Sequence, residues 1–563
     1  MSAPAPAILI LGQGSVAAAR KAQRALDGAV LYGLAERVTD ADRNFEDFGG
    51  TIRRLFQEDT PIIAFCAAGI VIRALASHLQ NKRAEPPVLA IAEDGSAVVP
   101  LLGGLRGVNA LARRIGDALG TTPAITTTGE VRFGATLESP PSGYEIGNPG
   151  ASKRFMSDLL AGEKVKLSGD APWLRETRLP FDPAGNLTIT VTPQAREATA
   201  GELVIHPRSI VVAVAGGAED LSQQVSDALA ARGLSPKAVG VVVAADGDAA
   251  RPEIHAMAKS LGRPLRFLPD VAALSLSNLA EAPIRTGVVT IAIVTGPVDA
   301  TTIGRARGRL AVVGLGPGAA EWMAPEVRRA LDHAQDILGY ETYVRMAGPF
   351  SAEQVIHASD NREELDRARH ALSLAASGRS VVVVSSGDPG IFAMAAAVLE
   401  ALEGSEDPAW HGVELVVMPG ISAAQGAAAR AGAPLGHDFC ILSLSDNLKP
   451  WSVIEDRLDH AAAADLVLAF YNPISKARPW QLGRALEIVR AHRKPETPVV
   501  LGRDVGRPGE SLRVVPLGEL KPDDVDMRTV VIVGSSTTRT FAKADGSTWV
   551  YTPRWYEAGP QDS

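Results

Sequence analysis

One feature constrains this chain more than any other. Short, uninterrupted apolar runs recur along it: Ala7–Leu11, Ile62–Phe65, Ile210–Val214 and Val381–Val384. Longer stretches rich in Ala, Leu and Arg separate them. A run of four or five apolar residues with no polar alternation suits a strand covered on both faces. Strands that alternate with helices need crossover connections, which favour mostly parallel sheets flanked by helices. The expected fold class is therefore α/β. With 563 residues the chain is expected to be multidomain, because a single core stops growing at about 250–300 residues.

Composition shifts place the boundaries. Residues 134–150 are rich in Ser, Pro and Gly and read as a connection. Residues 180–208 look strand-like, with Leu187–Thr192 alternating before the new run at 210. Residues 299–309 read as a polar, basic linker, after which Leu310 opens a fresh strand-turn-helix. The expected units are an N-terminal α/β domain at 1–125, a middle segment at 126–207, a third α/β domain at 208–304 and a final region at 305–563. The last is expected to split into two subdomains near 425–435. No solenoid-type period is present.

Charge and cysteine content exclude several classes. The formal net charge of -8 argues against a generic basic nucleic-acid binder. Cys66 and Cys440 are the only cysteines, so neither a disulfide scaffold nor a multi-cysteine zinc site can be built, and no metal is expected. No apolar run reaches the roughly 18 residues of a membrane span. The start, Met-Ser-Ala-Pro-Ala-Pro, has no basic region and apolar core of a signal peptide. A cytoplasmic protein is expected.

Two glycine loops follow strands. Gly12-Gln13-Gly14-Ser15-Val16-Ala17 fits the loose dinucleotide pattern G-x-G-x-x-A. The second strand runs into Gly33-Leu34 where a ribose-binding acid would stand, so the loop reads as a tight turn without a nucleotide. Gly314-Leu315-Gly316-Pro317-Gly318 lets a ligand approach closely, yet Pro317 removes a backbone N–H that would otherwise hold phosphate.

The C-terminal half carries an ordered set of unusual segments. These are Ser385-Ser386-Gly387-Asp388-Pro389-Gly390-Ile391-Phe392, Met418-Pro419-Gly420-Ile421-Ser422-Ala423-Ala424, Leu435-Gly436-His437-Asp438-Phe439, Tyr471-Asn472-Pro473 and Gly502-Arg503-Asp504-Val505-Gly506-Arg507-Pro508-Gly509-Glu510. Together, from about Arg309 to about Arg554, they resemble the tetrapyrrole methylases of cobalamin and siroheme synthesis. The branch they resemble most methylates carbon 17 of precorrin-3B and contracts the ring.

The resemblance implies two α/β subdomains with S-adenosylmethionine in the cleft between them, a tetrapyrrole substrate, no nucleic acid or membrane partner, and a homodimer formed through this half. It implies cofactor contacts at Pro317, Ser386, Gly387, Asp388, Ile391, Ser422, Ala423, Asn472 and Gly506. Ring contraction wants a proton acceptor and a donor. His437, Asp438, Tyr471 and Glu510 are the candidates. Substrate carboxylates want cations, for which Lys476, Arg478, Arg503 and Arg507 are placed.

The N-terminal half, roughly 5–300, carries Phe65-Cys66-Ala67-Ala68-Gly69, Leu102-Gly103-Gly104-Leu105-Arg106-Gly107 and Val214-Ala215-Gly216-Gly217. It resembles the cobalt-precorrin-5A hydrolases, which open a lactone. Leu105 stands where that family has histidine, and Ala215–Asp220 lacks its basic residue. The first loses a proton-transfer group, the second a carboxylate partner. The expectation is an inactive hydrolase-like module joined to a methyltransferase. An active bifunctional fusion, a tetrapyrrole carrier without turnover and, more distantly, a nicotinamide oxidoreductase are the alternatives.

Overall fold

The computed structural model describes residues 5–79, 81–82, 84–216, 218–351, 353–360, 363–475 and 478–556. The apolar runs become the central strands of successive sheets. In the first sheet the strands Arg43–Phe45, Val30–Leu34, Ala7–Ile10, Ile62–Phe65 and Val88–Ile91 lie side by side and parallel, with Val98–Leu102 antiparallel at the edge. Every residue of Ala7–Ile10 and Ile62–Phe65 is buried, as double-faced cover requires. The loop at Gly12–Ser15 faces a carboxylate: a Cβ on Gly14 would lie 3.0 Å from the Glu93 Oε1. An acid at this turn disfavours a phosphate.

The middle unit is a four-stranded sheet in the order Tyr144–Ile146, Glu202–Pro207, Leu187–Val191, Val165–Ser168. The stretch 134–150 is thus more than a connection, since Tyr144–Ile146 pairs antiparallel with 205–207. The third unit orders its strands Ile284–Thr286, Val289–Ile293, Ile210–Val214, Val239–Ala245, Leu265–Leu268 and Arg305–Ala306.

That last strand corrects the expected linker at 299–309. Arg305 pairs with Asp246 at 2.7 Å and lies 4.7 Å from the Phe267 ring centroid, while Arg266 donates to the Ile303 and Gly304 carbonyls, both at 2.6 Å. Arg305, which reads as part of a polar linker, is consumed in closing a sheet edge. The unit therefore runs through Ala306, and the junction is Arg307-Gly308, where any side chain on Gly308 would collide with the Ala375 carbonyl.

The C-terminal half holds two subdomains. The first has five parallel strands in the order Val355–Ser359, Asp336–Tyr340, Ser380–Ser385, Arg309–Gly314, Glu414–Met418. The second has Phe439–Ser443, Val467–Tyr471, Thr529–Val533, Pro498–Arg503 and Ser511–Pro516, of which only the first pair is parallel. The helix Ala423–Ala431 lays Ala424, Ala427, Ala428 and Ala431 against Val467, Ala469, Val500 and Ile532 of the second sheet. Its alanine face allows a close approach, so the subdomain boundary falls at 419–422, ahead of the expected 425–435.

The halves touch at part-buried points. Arg43 of the first unit pairs with Asp332, on the helix Pro325–His333 of the first C-terminal subdomain, at 2.5 Å. The third unit meets the same subdomain where Arg307 Nε donates to the Gly412 carbonyl at 3.1 Å. Among the described residues no helix is long and apolar enough to cross a membrane. No cluster of His, Cys, Asp and Glu among them has the spacing to hold a metal ion.

Candidate active site

Three parallel strands of the first C-terminal subdomain end abreast. Their registers set Gly314 beside Ser385 and Val313 beside Met418. A cleft outside the carboxyl ends of parallel strands is the ordinary ligand position in open α/β sheets. Each strand runs into a glycine turn. A Cβ on Gly314 would lie 2.5 Å from the Gly387 carbonyl oxygen and 2.8 Å from the Gly420 nitrogen. Only bare backbone lets these three loops meet.

Hydrogen bonds then lock the loops. Gly387 N donates to Gly316 O at 2.8 Å, and Gly316 N returns a bond to Gly387 O at 3.2 Å. The Asp388 carboxylate accepts from Gly390 N at 2.8 Å and from Gly420 N at 3.1 Å. It therefore builds the loops and joins the second to the third. Gly387 has φ +70°, and a Cβ on it would meet nothing nearer than the Ser422 Cα at 3.7 Å. Its bare side opens toward the second subdomain.

The opposite lip is the start of the helix Ala423–Ala431. Ser422 Oγ accepts from Gln425 N at 3.3 Å while the Gln425 side chain accepts from Ser422 N at 2.9 Å, a reciprocal cap. The Tyr471 hydroxyl accepts from Ala424 N at 2.8 Å. Burial pushes the Tyr471 phenol above its ordinary pKa, so it keeps its proton at neutral pH. Asn472, at φ +50°, donates to Ser443 Oγ at 3.1 Å.

Between the lips stands Phe392. It is 51% exposed and has φ +53°, an unusual backbone for an aromatic residue. Its ring lies 5.7 Å from that of Tyr471, and the Lys449 ammonium sits 5.9 Å from its centroid. Ile421, which precedes Ser422, is also exposed. Phe392 and Lys449 were not among the expected site residues. Phe392 stands inside a quoted motif, but its strained backbone cannot be read from sequence.

The loop after the strand Pro498–Arg503 closes the third side. Glu510 accepts from Gly506 N at 2.8 Å and from Arg430 Nε at 2.9 Å. Arg430 in turn lies 4.6 Å from the Trp322 ring centroid. The bare side of Gly506, at φ +77°, faces Ala319 N at 3.1 Å and Pro317 Cγ at 3.5 Å. Arg507 Nε donates to the Pro317 carbonyl at 2.7 Å, and its Nη2 donates to Ser386 Oγ at 2.9 Å.

Several expected residues sit elsewhere. His437 and Asp438 precede the strand Phe439–Ser443, whose far end, Ser443, is the one beside Asn472. Asp438 O instead accepts from Val467 N, at the opposite end of the sheet, and the His437 ring packs 5.3 Å from Tyr556. A strand of this length separates them from the cleft by roughly 15 Å. Arg503 is paired with Asp526 at 2.8 Å and Asp504 at 2.9 Å. Arg478 donates to Ser475 Oγ at 3.3 Å. Lys476 lies outside the described residues.

In the N-terminal half Leu105 sits in a 3-10 turn, and its carbonyl accepts from Ser139 Oγ at 2.7 Å. Burial pushes the Cys66 thiol up to about 11.

Both halves of the chain are similar to known proteins. The family Tetrapyrrole (Corrin/Porphyrin) Methylases matches residues 309–521, and the family Cobalamin synthesis G N-terminal matches residues 50–130. A precorrin-3B C(17)-methyltransferase of Sinorhizobium sp. is 53% identical over 255 residues, covering 45% of this chain and 99% of its own length. The cobalamin biosynthesis protein CobIJ of Mycobacterium tuberculosis is 53% identical over 257 residues, 45% of this chain and about half (49%) of its own. The crystal structure of the methyltransferase CobJ is 52% identical and covers 44% of this chain and 100% of that one, at a TM-score of 0.42. Through its C-terminal half, the chain belongs to the tetrapyrrole methylases, and a region like the N-terminal part of cobalamin synthesis protein G precedes that half.

Proposed function

We propose that this protein transfers a methyl group from S-adenosylmethionine to carbon 17 of precorrin-3B, or of its cobalt analogue, with contraction of the ring to precorrin-4. The observation that carries the reading is the glycine junction of Gly314, Gly387 and Gly420, opening toward the helix at Ser422. It lies in a region that matches a relative of that activity along 99% of the relative's length.

The residues present fit the cofactor. Ser386, Gly387, Asp388, Ile391 and Pro317 on one lip, with Ser422, Ala423, Asn472 and Gly506 on the other, would hold it through backbone and small side chains. When bound, the cofactor supplies a methyl already activated on a cationic sulfur. The protein's part is alignment and exclusion of water. The flat macrocycle finds Phe392 and Tyr471 as an apolar wall, and Lys449 and Arg478 as partners for its carboxylates. Lys476 is proposed in the same role.

Of the candidate proton-transfer groups, Tyr471 and Glu510 stand at the cleft. Tyr471 holds its proton and is suited to donate. Both Glu510 oxygens are engaged, so we assign Glu510 to bracing Gly506. The protein is proposed to act in the cytoplasm as a homodimer joined through its methylase half.

The N-terminal half is proposed to be a non-hydrolytic module. Leu105 offers no proton, and the weakly acidic Cys66 is no nucleophile. Mass spectrometry of products from S-adenosylmethionine with metal-free precorrin-3B, and in parallel with its cobalt counterpart, tests the whole reading. A one-methyl gain is expected on one of them. No gain on either, with cofactor still bound, refutes it in favour of a carrier. A further loss of a two-carbon aldehyde from cobalt-precorrin-5A would make the fusion bifunctional.

A further inference from the structure

Arg507 is the one expected substrate-binding arginine that the structure carries across the cleft. It belongs to the second subdomain, yet its guanidinium donates to two groups of the first: the Pro317 carbonyl at 2.7 Å and the Ser386 hydroxyl at 2.9 Å. Those acceptors lie on two different loops, at the ends of the strands Arg309–Gly314 and Ser380–Ser385. One side chain therefore fastens three segments.

The path of that side chain is built for it. Gly318 has φ +155°, and any Cβ there would collide with the Arg507 Cγ. A bare glycine gives the arginine its channel. At its base Arg507 N donates to Asp504 O at 2.8 Å. Asp504 is itself buried, at φ +48°, and is paired with Arg503 at 2.9 Å and Arg528 at 3.2 Å. Glu510 holds the following turn through Gly506 N. A strained, doubly paired turn is a rigid base for a long side chain.

We propose that Arg507 is a positioning residue. It sets the width of the cleft and the place of the Pro317 loop, and it does not pair with substrate carboxylates. The inference rests on the methyltransferase reading above. The planar guanidinium matters because Nε and Nη2, two nitrogens fixed in one plane, reach the two acceptors, whereas an ammonium's donors all radiate from a single nitrogen.

The test uses the full chain with Arg507→Ala, Arg507→Lys and Ser386→Ala. Three quantities are read: S-adenosylmethionine Kd by calorimetry without macrocycle, kcat and macrocycle KM, and amide hydrogen exchange of the peptide 314–324. For Arg507→Ala a cofactor Kd about 10-fold weaker, a kcat about 10- to 100-fold lower and a macrocycle KM within 3-fold are expected, because charged hydrogen bonds and alignment are lost together. Exchange at 314–324 should quicken by about 10-fold. Ser386→Ala should reproduce part of each change, and Arg507→Lys should restore less than half of the loss.

A macrocycle KM raised 10-fold or more, with cofactor Kd and exchange unchanged, would overturn the proposal and return Arg507 to substrate binding. Unchanged values throughout would overturn it as well. If the wild type turns over neither macrocycle, the functional reading fails, while cofactor Kd and exchange still decide the role of Arg507.

Discussion

The contact between Arg43 and Asp332 predicts a measurable coupling between the two halves of the chain. The side chains are 10% and 18% exposed and lie 2.5 Å apart. Arg43 also donates to the Tyr32 hydroxyl at 3.2 Å and sits 5.8 Å from its ring centroid. Two charges about 4 Å apart at an effective dielectric near 20 attract by about 4 kcal/mol, against which desolvation of both must be set. Removing one partner leaves the other buried and unpaired, which costs about 3–5 kcal/mol in a dry site. The residual exposure here lowers that to about 2–3 kcal/mol.

Such a loss makes local opening roughly 30- to 150-fold more frequent, since 1.4 kcal/mol is tenfold. Hydrogen exchange read by mass spectrometry on the peptides containing Arg43–Phe45 and Pro325–His333 is the assay, because a multidomain chain need not unfold in one step. Arg43→Met and Asp332→Leu should each raise exchange in both peptides. The double variant should recover most of the protection, because apolar side chains of similar size replace a buried pair at little cost. A change below 3-fold in either single variant, or a double variant as labile as the singles, would refute the reasoning.

Other consequences follow from single residues. Gly420→Ala drives a methyl into the Gly387 carbonyl and should weaken cofactor binding more than 10-fold by calorimetry, whereas Gly247→Ala, with open space around it, should change nothing. Cys66, at about 11, should alkylate with iodoacetamide at pH 7.5 roughly 100-fold more slowly than it does in urea, as read by peptide mass spectrometry. Burial works to raise the Asp336 carboxyl, but hydrogen bonds from Arg379 at 2.5 Å and His357 at 2.9 Å hold it below its ordinary 3.8. A depressed carboxylate stabilises the fold above the unfolded pKa and loses that stabilisation as pH falls through the folded value. The Tm gap between wild type and Asp336→Asn should therefore be full above about pH 5 and close as the pH is lowered below about 4.

Much of the layout was legible because apolar runs without alternation have few alternatives to a covered parallel strand. Ala7–Ile10, Ile62–Phe65, Ile210–Val214 and Val381–Val384 all became central strands. Boundaries were harder. Arg305 reads as part of a polar linker, yet Asp246 and the Phe267 ring receive it. The helix Ala423–Ala431 carries no signal of which sheet it joins, because alanine packs on either. The glycine turns were legible as close approaches, but not that three of them abut. His437 and Asp438 suggest themselves by their chemistry, but strand direction, which no local pattern encodes, sets them at the end of the sheet away from Asn472.

The same geometry assigns unequal roles to the two C-terminal subdomains. Arg43 reaches Asp332, Arg307 reaches the Gly412 carbonyl, and Gly412 packs on Ala249 so closely that a Cβ would lie 2.6 Å from the Ala249 carbonyl oxygen. All three contacts fall on the first subdomain, which carries the glycine loops. The second subdomain joins that body through Pro419–Ile421 and, across the cleft, through Arg507, the Arg430–Trp322 contact and the Phe392–Tyr471 ring pair. The N-terminal half thus adds contacts to the lip that holds Gly387, and the lip at Ser422 is the one expected to move if the cleft opens. On this argument Arg43→Met should leave the exchange of the helix Ala423–Ala431 unchanged while Arg507→Ala raises it, and the reverse pattern would show that the hinge has been placed on the wrong side of the cleft.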